Sequence, residues 1–151
     1  MKIVMLSSGD RVPSSRFRML PYVRHFRNSG HRCTLASSVP QKYEWFPQIG
    51  FRLSQRLKRL IRYLHWYQSR LRGDDIVVID REVFDSPCTK LEERFQKTTQ
   101  RLVLDLDDAV FLRYPEKFEK LTRLADLIVC GNSFIEGWAT ERNPNTIIIP
   151  T

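Results

Sequence analysis

Asp75–Asp80 reads DIVVID. Four β-branched residues follow one another without a polar alternation, so this segment expects cover on both of its faces. That is the mark of a central strand in a parallel sheet. Just before it, Phe51–Arg72 carries leucines at helical spacing and is stopped by Gly73. After it, Thr89 opens a helix to about Lys97, with Glu92 three residues on completing a capping box. Arg101–Leu106 repeats the strand pattern, and Pro115–Leu124 repeats the helical one. Asp126–Cys130 is a further strand; Ser133 caps a helix to about Arg142, and Thr146–Ile149 is a last strand.

Toward the N-terminus, Lys2–Leu6 (KIVML) is a strand, the polar loop SSGDRVPSS follows, and Ser15–Asn28 is a helix. Its apolar residues Phe17, Leu20, Val23 and Phe26 place one face inward, with Pro21 tolerable only near the helix start or at a kink. Ser29-Gly30 ends that helix and Arg32–Ala36 is the second strand. Residues 37–50, with two prolines and several aromatics, form a long loop. Strand and helix alternating six times specify an α/β fold: a doubly wound, mostly parallel, six-stranded Rossmann-like sheet with helices on both faces, spanning 1–151 as one domain.

The chain has 151 residues, 42% hydrophobic and 11% aromatic, enough to bury a core, and its composition excludes disorder, collagen and a disulfide miniprotein. No apolar run reaches the roughly 18–20 residues of a membrane span, and the apolar start MKIVML is too short for a signal-peptide core. Cys33, Cys88 and Cys130 stand far apart, form no CxxC pair and read as reduced thiols of a cytoplasmic protein with no metal site. The net charge of +8 conceals a division: residues 1–73 carry +13 and residues 74–151 carry −5. Such polarity presents a basic face to an anionic partner, or else a solvated basic helix.

In open parallel sheets, ligands bind beyond the carboxyl ends of the strands. Those ends deliver Ser7, Ser8, Gly9, Asp10 and Arg11 from the first strand, and Asp80, Arg81 and Glu82 from the third. They deliver Asp105, Asp107 and Asp108 from the fourth, and Gly131, Asn132 and Ser133 from the fifth. The first loop lacks both GxGxxG and the P-loop pattern, and Pro13 behind Arg11 and Val12 obstructs a pyrophosphate. Its small residues, helix-start amides and the nearby Arg11, Arg16 and Arg18 suit a phosphate or a polyhydroxylated ligand, or else pair with acids across the fold.

The string VLDLDDAVF (103–111) admits three readings. A phosphatase nucleophile motif needs a downstream Lys and a further acidic pair, and no such pair follows. A DxD metal clamp on a sugar nucleotide needs a nucleotide-binding half upstream. A strand-end turn whose carboxylates bond ligand hydroxyls or cap the next loop is the favoured reading. The Phe51–Arg72 helix has seven Lys or Arg and no acid, with Tyr63, Trp66 and Tyr67 along it. Its Leu/Ile stripe is expected to pack on the sheet, leaving a cationic face for acidic lipid or another anionic partner. His25, His31 and His65 lie in or beside helices, away from the strand ends, and no Ser/His/Asp set assembles.

Taken in order, KIVMLSSGD, SSRFRMLPYVRHFRNSGHRCTLAS, LDLDDA, LADLIVCGNSFIEGWA and the closing IIIPT resemble the N-terminal half of a GT-B glycosyltransferase of family 4 type. Gly30-His31 and Ala125–Asn132 match characteristic positions, and the resemblance covers nearly the whole chain. It implies two Rossmann-like domains facing across a cleft, the first binding a carbohydrate or lipid-linked acceptor and the second, with an E-x7-E motif, holding the nucleotide-sugar donor. No such motif occurs in this context here, so the donor-binding domain is expected to lie outside this chain. The resemblance implies transfer with retention of configuration and without a bound metal. By position it puts Gly9, Asp10 and Arg11 near donor phosphates and acceptor, and Asp107 and Asp108 where other members have a functional His. It also puts Asn132 on a loop facing the cleft. Together with Ser8, Arg16, Arg81 and Glu82, these are the candidate substrate-binding residues, Asp107 and Asp108 being the catalytic candidates. The alternative function is a non-catalytic Rossmann-like domain binding a phosphorylated ligand or nucleic acid. Nucleic acid is the less favoured partner, because the cations lack interleaved stacking aromatics. The expected location is cytoplasmic, peripheral at the inner membrane surface.

Overall fold

Six strands form one sheet: β1 (Lys2–Ser7), β2 (Arg32–Ser37), β3 (Ile76–Asp80), β4 (Arg101–Leu106), β5 (Leu127–Cys130) and β6 (Thr146–Ile148). Their order is β2-β1-β3-β4-β5-β6, and every neighbouring pair runs parallel. The computed structural model describes residues 1–150; Thr151, the last residue of the IIIPT stretch, lies outside them. This is the expected Rossmann-like α/β architecture. The β-branched runs explain it: Val77 and Ile79 of β3 are buried among β1 and β4, while Ile76 and Val78 face the opposite side.

Parallel strands need right-handed crossovers. The step from β1 leftward to β2 therefore puts α1 (Leu20–Asn28) on one face. The rightward steps put α2 (Gly50–Arg72), α3 (Lys90–Thr98), α4 (Pro115–Leu124) and α5 (Ser133–Thr140) on the other. The direction reverses between β1 and β3, and the two carboxyl ends there diverge into a crevice. The larger core lies on the four-helix side and includes Phe95, Phe118, Leu104 and Ile128. The smaller one packs Met19 and Val23 onto Ile3 and Met5. On that second face α1 covers only the β1–β2 end. Beyond it Val78, Val103, Leu127, Val129 and Ile147 line an apolar hollow of about 310 Å³.

The molecule departs from the sequence expectations at four places. First, the turn Ser15–Met19 is a π-turn, with the Leu20 N–H bonding the Ser15 carbonyl. Pro21 has no N–H to give, so the ladder opens just before it. The extra residue rotates Phe17 out to solvent and turns Arg18 and Met19 inward. Second, no capping box forms at α3: the Thr89 hydroxyl donates to Glu93 Oε1 at 2.6 Å. Glu92 turns inward instead, where its Oε1 accepts the Val83 N–H at 3.1 Å.

Third, α5 is capped by Asn132, whose Oδ1 accepts the Ile135 N–H at 3.0 Å, and Ser133 is already helical. Fourth, α2 packs the reverse way from expectation. Ser54, Lys58, Arg62 and Ser69 are its buried residues, and Leu53, Leu60, Leu64 and Leu71 face solvent. The polar side chains win the inner face because strand ends offer them carbonyls. Arg62 donates to Ala36 O at 2.8 Å and Ser7 O at 2.6 Å, and Lys58 to Gln41 O at 2.9 Å. A leucine there would leave those carbonyls without that partner.

Candidate functional site

Two connected groups of residues occupy the carboxyl rim at the β1/β3 crevice. The first is an ion network centred on Arg81. Its backbone sits at φ 62°, in the left-handed region that favours glycine. This turn sends the guanidinium back over the strand ends. There Nη1 donates to Asp108 Oδ2 at 2.9 Å and Nη2 to the Ser14 hydroxyl at 2.8 Å. Ser14 in turn donates to Asp80 Oδ2 at 3.0 Å. Arg81 Nε lies 3.3 Å from Asp80 Oδ1 and 3.5 Å from Asp107 Oδ1, close enough for charge pairing without a hydrogen bond. Burial holds the Asp107 carboxyl above its ordinary range, against the pull of Arg81. The carboxylates around Arg81 in turn outweigh its burial and keep it charged.

The fourth-strand and fifth-strand ends are locked together at this network. A side chain at Gly131 would place its Cβ 2.9 Å from the Asp107 carbonyl, so only glycine lets the two loops approach. Gly9 does the same job on the first loop. Its φ is +139°, and a Cβ there would sit 2.6 Å from Gln41 Oε1. That same Oε1 accepts the Arg11 N–H at 2.9 Å, tying the β1 loop to the segment after β2.

The second group walls a pocket of about 380 Å³. Ser8 and Glu82 enter it from the strand ends, Lys42, Tyr43 and Trp45 from the loop after β2, and Phe51, Lys58 and Arg62 from α2. Glu82 is held from two sides, by Lys117 Nζ at 2.7 Å and Lys42 Nζ at 3.3 Å. Lys117 is fully enclosed; it also donates to the carbonyls of Phe84 (2.6 Å) and Ser86 (2.8 Å) and pairs with Glu92 at 3.7 Å. Burial pushes the Glu92 carboxyl up against that attraction. Burial, with Arg62 as its neighbour, draws the Lys58 ammonium down, and burial draws Arg62 down to about 10. Arg62 Nε has no hydrogen-bond partner. The pocket thus offers ammonium and guanidinium donors, one firmly placed carboxylate and an aromatic lip.

Of the residues singled out in the sequence, Arg81, Asp107 and Asp108 meet in the ion network. Ser8 joins it through its N–H to Asp80 Oδ2 at 3.3 Å, and Ser8 and Glu82 line the pocket. Asp10 accepts from the Ser37 hydroxyl over a separate shallow hollow of about 150 Å³. Arg11 points outward and pairs with Glu44 at 3.7 Å, and Arg16 is exposed over the Phe17 ring. Asn132 is committed to capping α5. Sequence reasoning missed Lys42, Lys58, Arg62 and Lys117, which arrive from a loop and two helices rather than from strand ends. Only the lack of any acid in α2 hinted at two of them. No three His, Cys, Asp or Glu side chains converge on a metal-sized site among the described residues.

Comparison of the chain with models of protein families, with curated proteins and with solved structures gave no match.

Proposed function

We propose that this chain is the acceptor-side half of a sugar-nucleotide-dependent, retaining glycosyltransferase, forming one wall of the active-site cleft. The observation that carries the reading is the pocket at the β1/β3 reversal. It is large enough for one or two sugar rings, with Glu82 fixed between two lysines to accept hydroxyl protons and Trp45 and Phe51 at its lip. Sugar hydroxyls need donors and acceptors at fixed positions, and their apolar C–H faces suit aromatic rings. Arg81 holds Asp107 and Asp108 on the same rim, where they face a donor carried by another domain. Lys42, Lys58 and Arg59 on the pocket wall extend the acceptor class to lipid-linked or phosphorylated carbohydrates. The same cations favour the second reading, a non-catalytic domain for a phosphorylated ligand.

Ligand-observed NMR with oligosaccharides, glycosyl phosphates and nucleotide sugars tests the choice. Carbohydrate binding that Glu82→Gln weakens, with little binding of nucleotide sugars, supports the transferase reading. Binding of inorganic phosphate alone, with no response to any sugar, supports the binding module. In a transfer assay with the donor domain present, Asp107→Ala with Asp108→Ala lowers turnover on the order of 100-fold through lost positioning. Unchanged turnover removes both residues from the mechanism.

A further inference from the structure

We infer that the outer face of α2, together with the loop before it, is an in-plane docking surface for an anionic bilayer. Leu53, Leu57, Leu60, Leu64, Tyr67 and Leu71 follow one another at alternating spacings of four and three, which aligns them in one stripe along the helix. The stripe points away from the sheet, with Leu57 half-buried: Leu60 is 57% and Leu71 69% exposed. Isolated surface leucines need no explanation, but a continuous stripe on a 23-residue helix marks a contact surface. The helix is about 34 Å long at the standard rise, so the stripe spans most of one side of the domain.

Three observations choose a membrane as the occupant. Charge comes first. Arg52, Arg56, Arg59 and Arg70 form a row beside the stripe, and α2 contains no acidic residue to offset them. A second copy packed antiparallel on this stripe would set those arginines against each other, which disfavours self-association. Extent is second. The exposed apolar residues do not stop at the helix: Tyr43, Trp45, Phe46 and Ile49 of the preceding loop are exposed as well, and Trp45 meets Phe51, in the first turn of α2, edge-on at 6.3 Å. A single partner helix would leave that aromatic extension uncovered. A bilayer interface takes tryptophan and tyrosine at headgroup depth and leucine below it.

Rigidity is third. The inner side of α2 is anchored through Lys58 and Arg62 to backbone carbonyls, so the helix is already folded before it meets lipid. No helix in the described residues is long and apolar enough to cross a membrane, so the contact is one of surface insertion. The inference goes beyond the glycosyltransferase reading and does not depend on it. It carries one consequence for that reading: Arg59 belongs to the arginine row beside the stripe and also lines the pocket, which would put that side of the pocket at headgroup level.

Vesicle flotation tests it on the chain as it stands, with phosphatidylcholine vesicles compared with phosphatidylcholine–phosphatidylglycerol vesicles. The expected result is association with the anionic vesicles, weaker on neutral ones and falling with salt. Helical circular dichroism should not change on binding. Leu60→Glu with Leu64→Glu abolishes association, and both positions are exposed, so its melting curve should match the parent. Arg52→Gln and Arg56→Gln each lower the partition coefficient about five-fold on anionic vesicles only. Three results would overturn the inference. One is no preference for anionic vesicles, and another is retained binding in the double-Glu variant. The third is a dimer in light scattering, or saturable binding of an acidic leucine-heptad peptide, that the double-Glu variant loses.

Discussion

Helices α2 and α4 sit on the same face of the same sheet and solve opposite problems. In α4, Phe118 and Leu121 fill the core and the charged residues mostly face water. In α2 the inward positions are Ser54, Lys58, Arg62 and Ser69, and the leucines face outward. The reason is position along the strands. The inner side of α4 meets the apolar middle of β4, where there is nothing to hydrogen-bond. The inner side of α2 brings Arg62 to the ends of β1 and β2, where the Ser7 and Ala36 carbonyls accept from it. A helix buries apolar surface where the sheet presents side chains, and polar surface where it presents carbonyl oxygens. The second arrangement leaves an apolar stripe free for another surface.

One residue of α4 breaks its own pattern, and it predicts the largest effect. Lys117 lies in the core beside Glu82 and Glu92, both almost wholly buried. Lys117→Met keeps the volume and removes the charge, so Glu92 loses its ion pair, Glu82 keeps only Lys42, and the Phe84 and Ser86 carbonyls lose their donor. The expected loss is about 3–5 kcal/mol in urea unfolding. Replacing Phe118, fully buried on the same helix, by Ala should cost about 3–5 kcal/mol by opening a cavity. On α2 the corresponding test is Arg62→Met, which leaves the Ala36 carbonyl short of its guanidinium partner, an expected cost of about 1–3 kcal/mol. A stabilised Arg62→Met protein would show that α2 could have packed leucine-in, and the contrast between the two helices would fall.

The two helices also show what a sequence can disclose. The strands were legible because β-branched runs such as IVVI of β3 form no other element well. The rim followed from them by rule, which is why Arg81, Asp107 and Asp108 were found and do meet in one network. The facing of α2 was not legible. Its leucines carry a strong helical period, and period alone says that one side is apolar, not which side the sheet will take. The carbonyls that decide it lie 26 and 55 residues away in sequence. Lys117 is hidden for the same reason. In PEKFEKLTRL it looks like any surface lysine until the fold sets Glu82, 35 residues earlier, against it. The Asn132 cap was missed more narrowly, since Asn and Ser stand side by side and either can cap.

A pH series separates the two helices by a smaller effect. His65 lies on the inner side of α2 with Nδ1 enclosed and unbonded, and burial beside Arg62 and Arg72 lowers its pKa from 6.5 to about 4. The unfolded chain takes up the proton near 6.5 and the folded one resists it until about 4, so within this window the unfolded state binds more protons. Stability therefore rises with pH there: the contribution is complete above about 6.5 and is lost as pH falls toward about 4. Urea midpoints measured across that window should fall on acidification, and His65→Asn should flatten the slope. An unchanged slope in the variant would place the acid sensitivity elsewhere.

The smallest predicted effect is the one on which the contrast turns. If the α2 stripe contributes nothing to the core, Leu60→Ala must be nearly silent, within about 0.5 kcal/mol of the parent in solution. A leucine of the same helical period placed in a core would cost about 2–5 kcal/mol on the same substitution. The two outcomes lie far enough apart for a single denaturation curve to distinguish them. A large loss at Leu60 would mean that the stripe is already covered, whether by a second copy or by the chain itself. The outward leucines would then be core after all, and α2 would differ from α4 only in which partner it buries against.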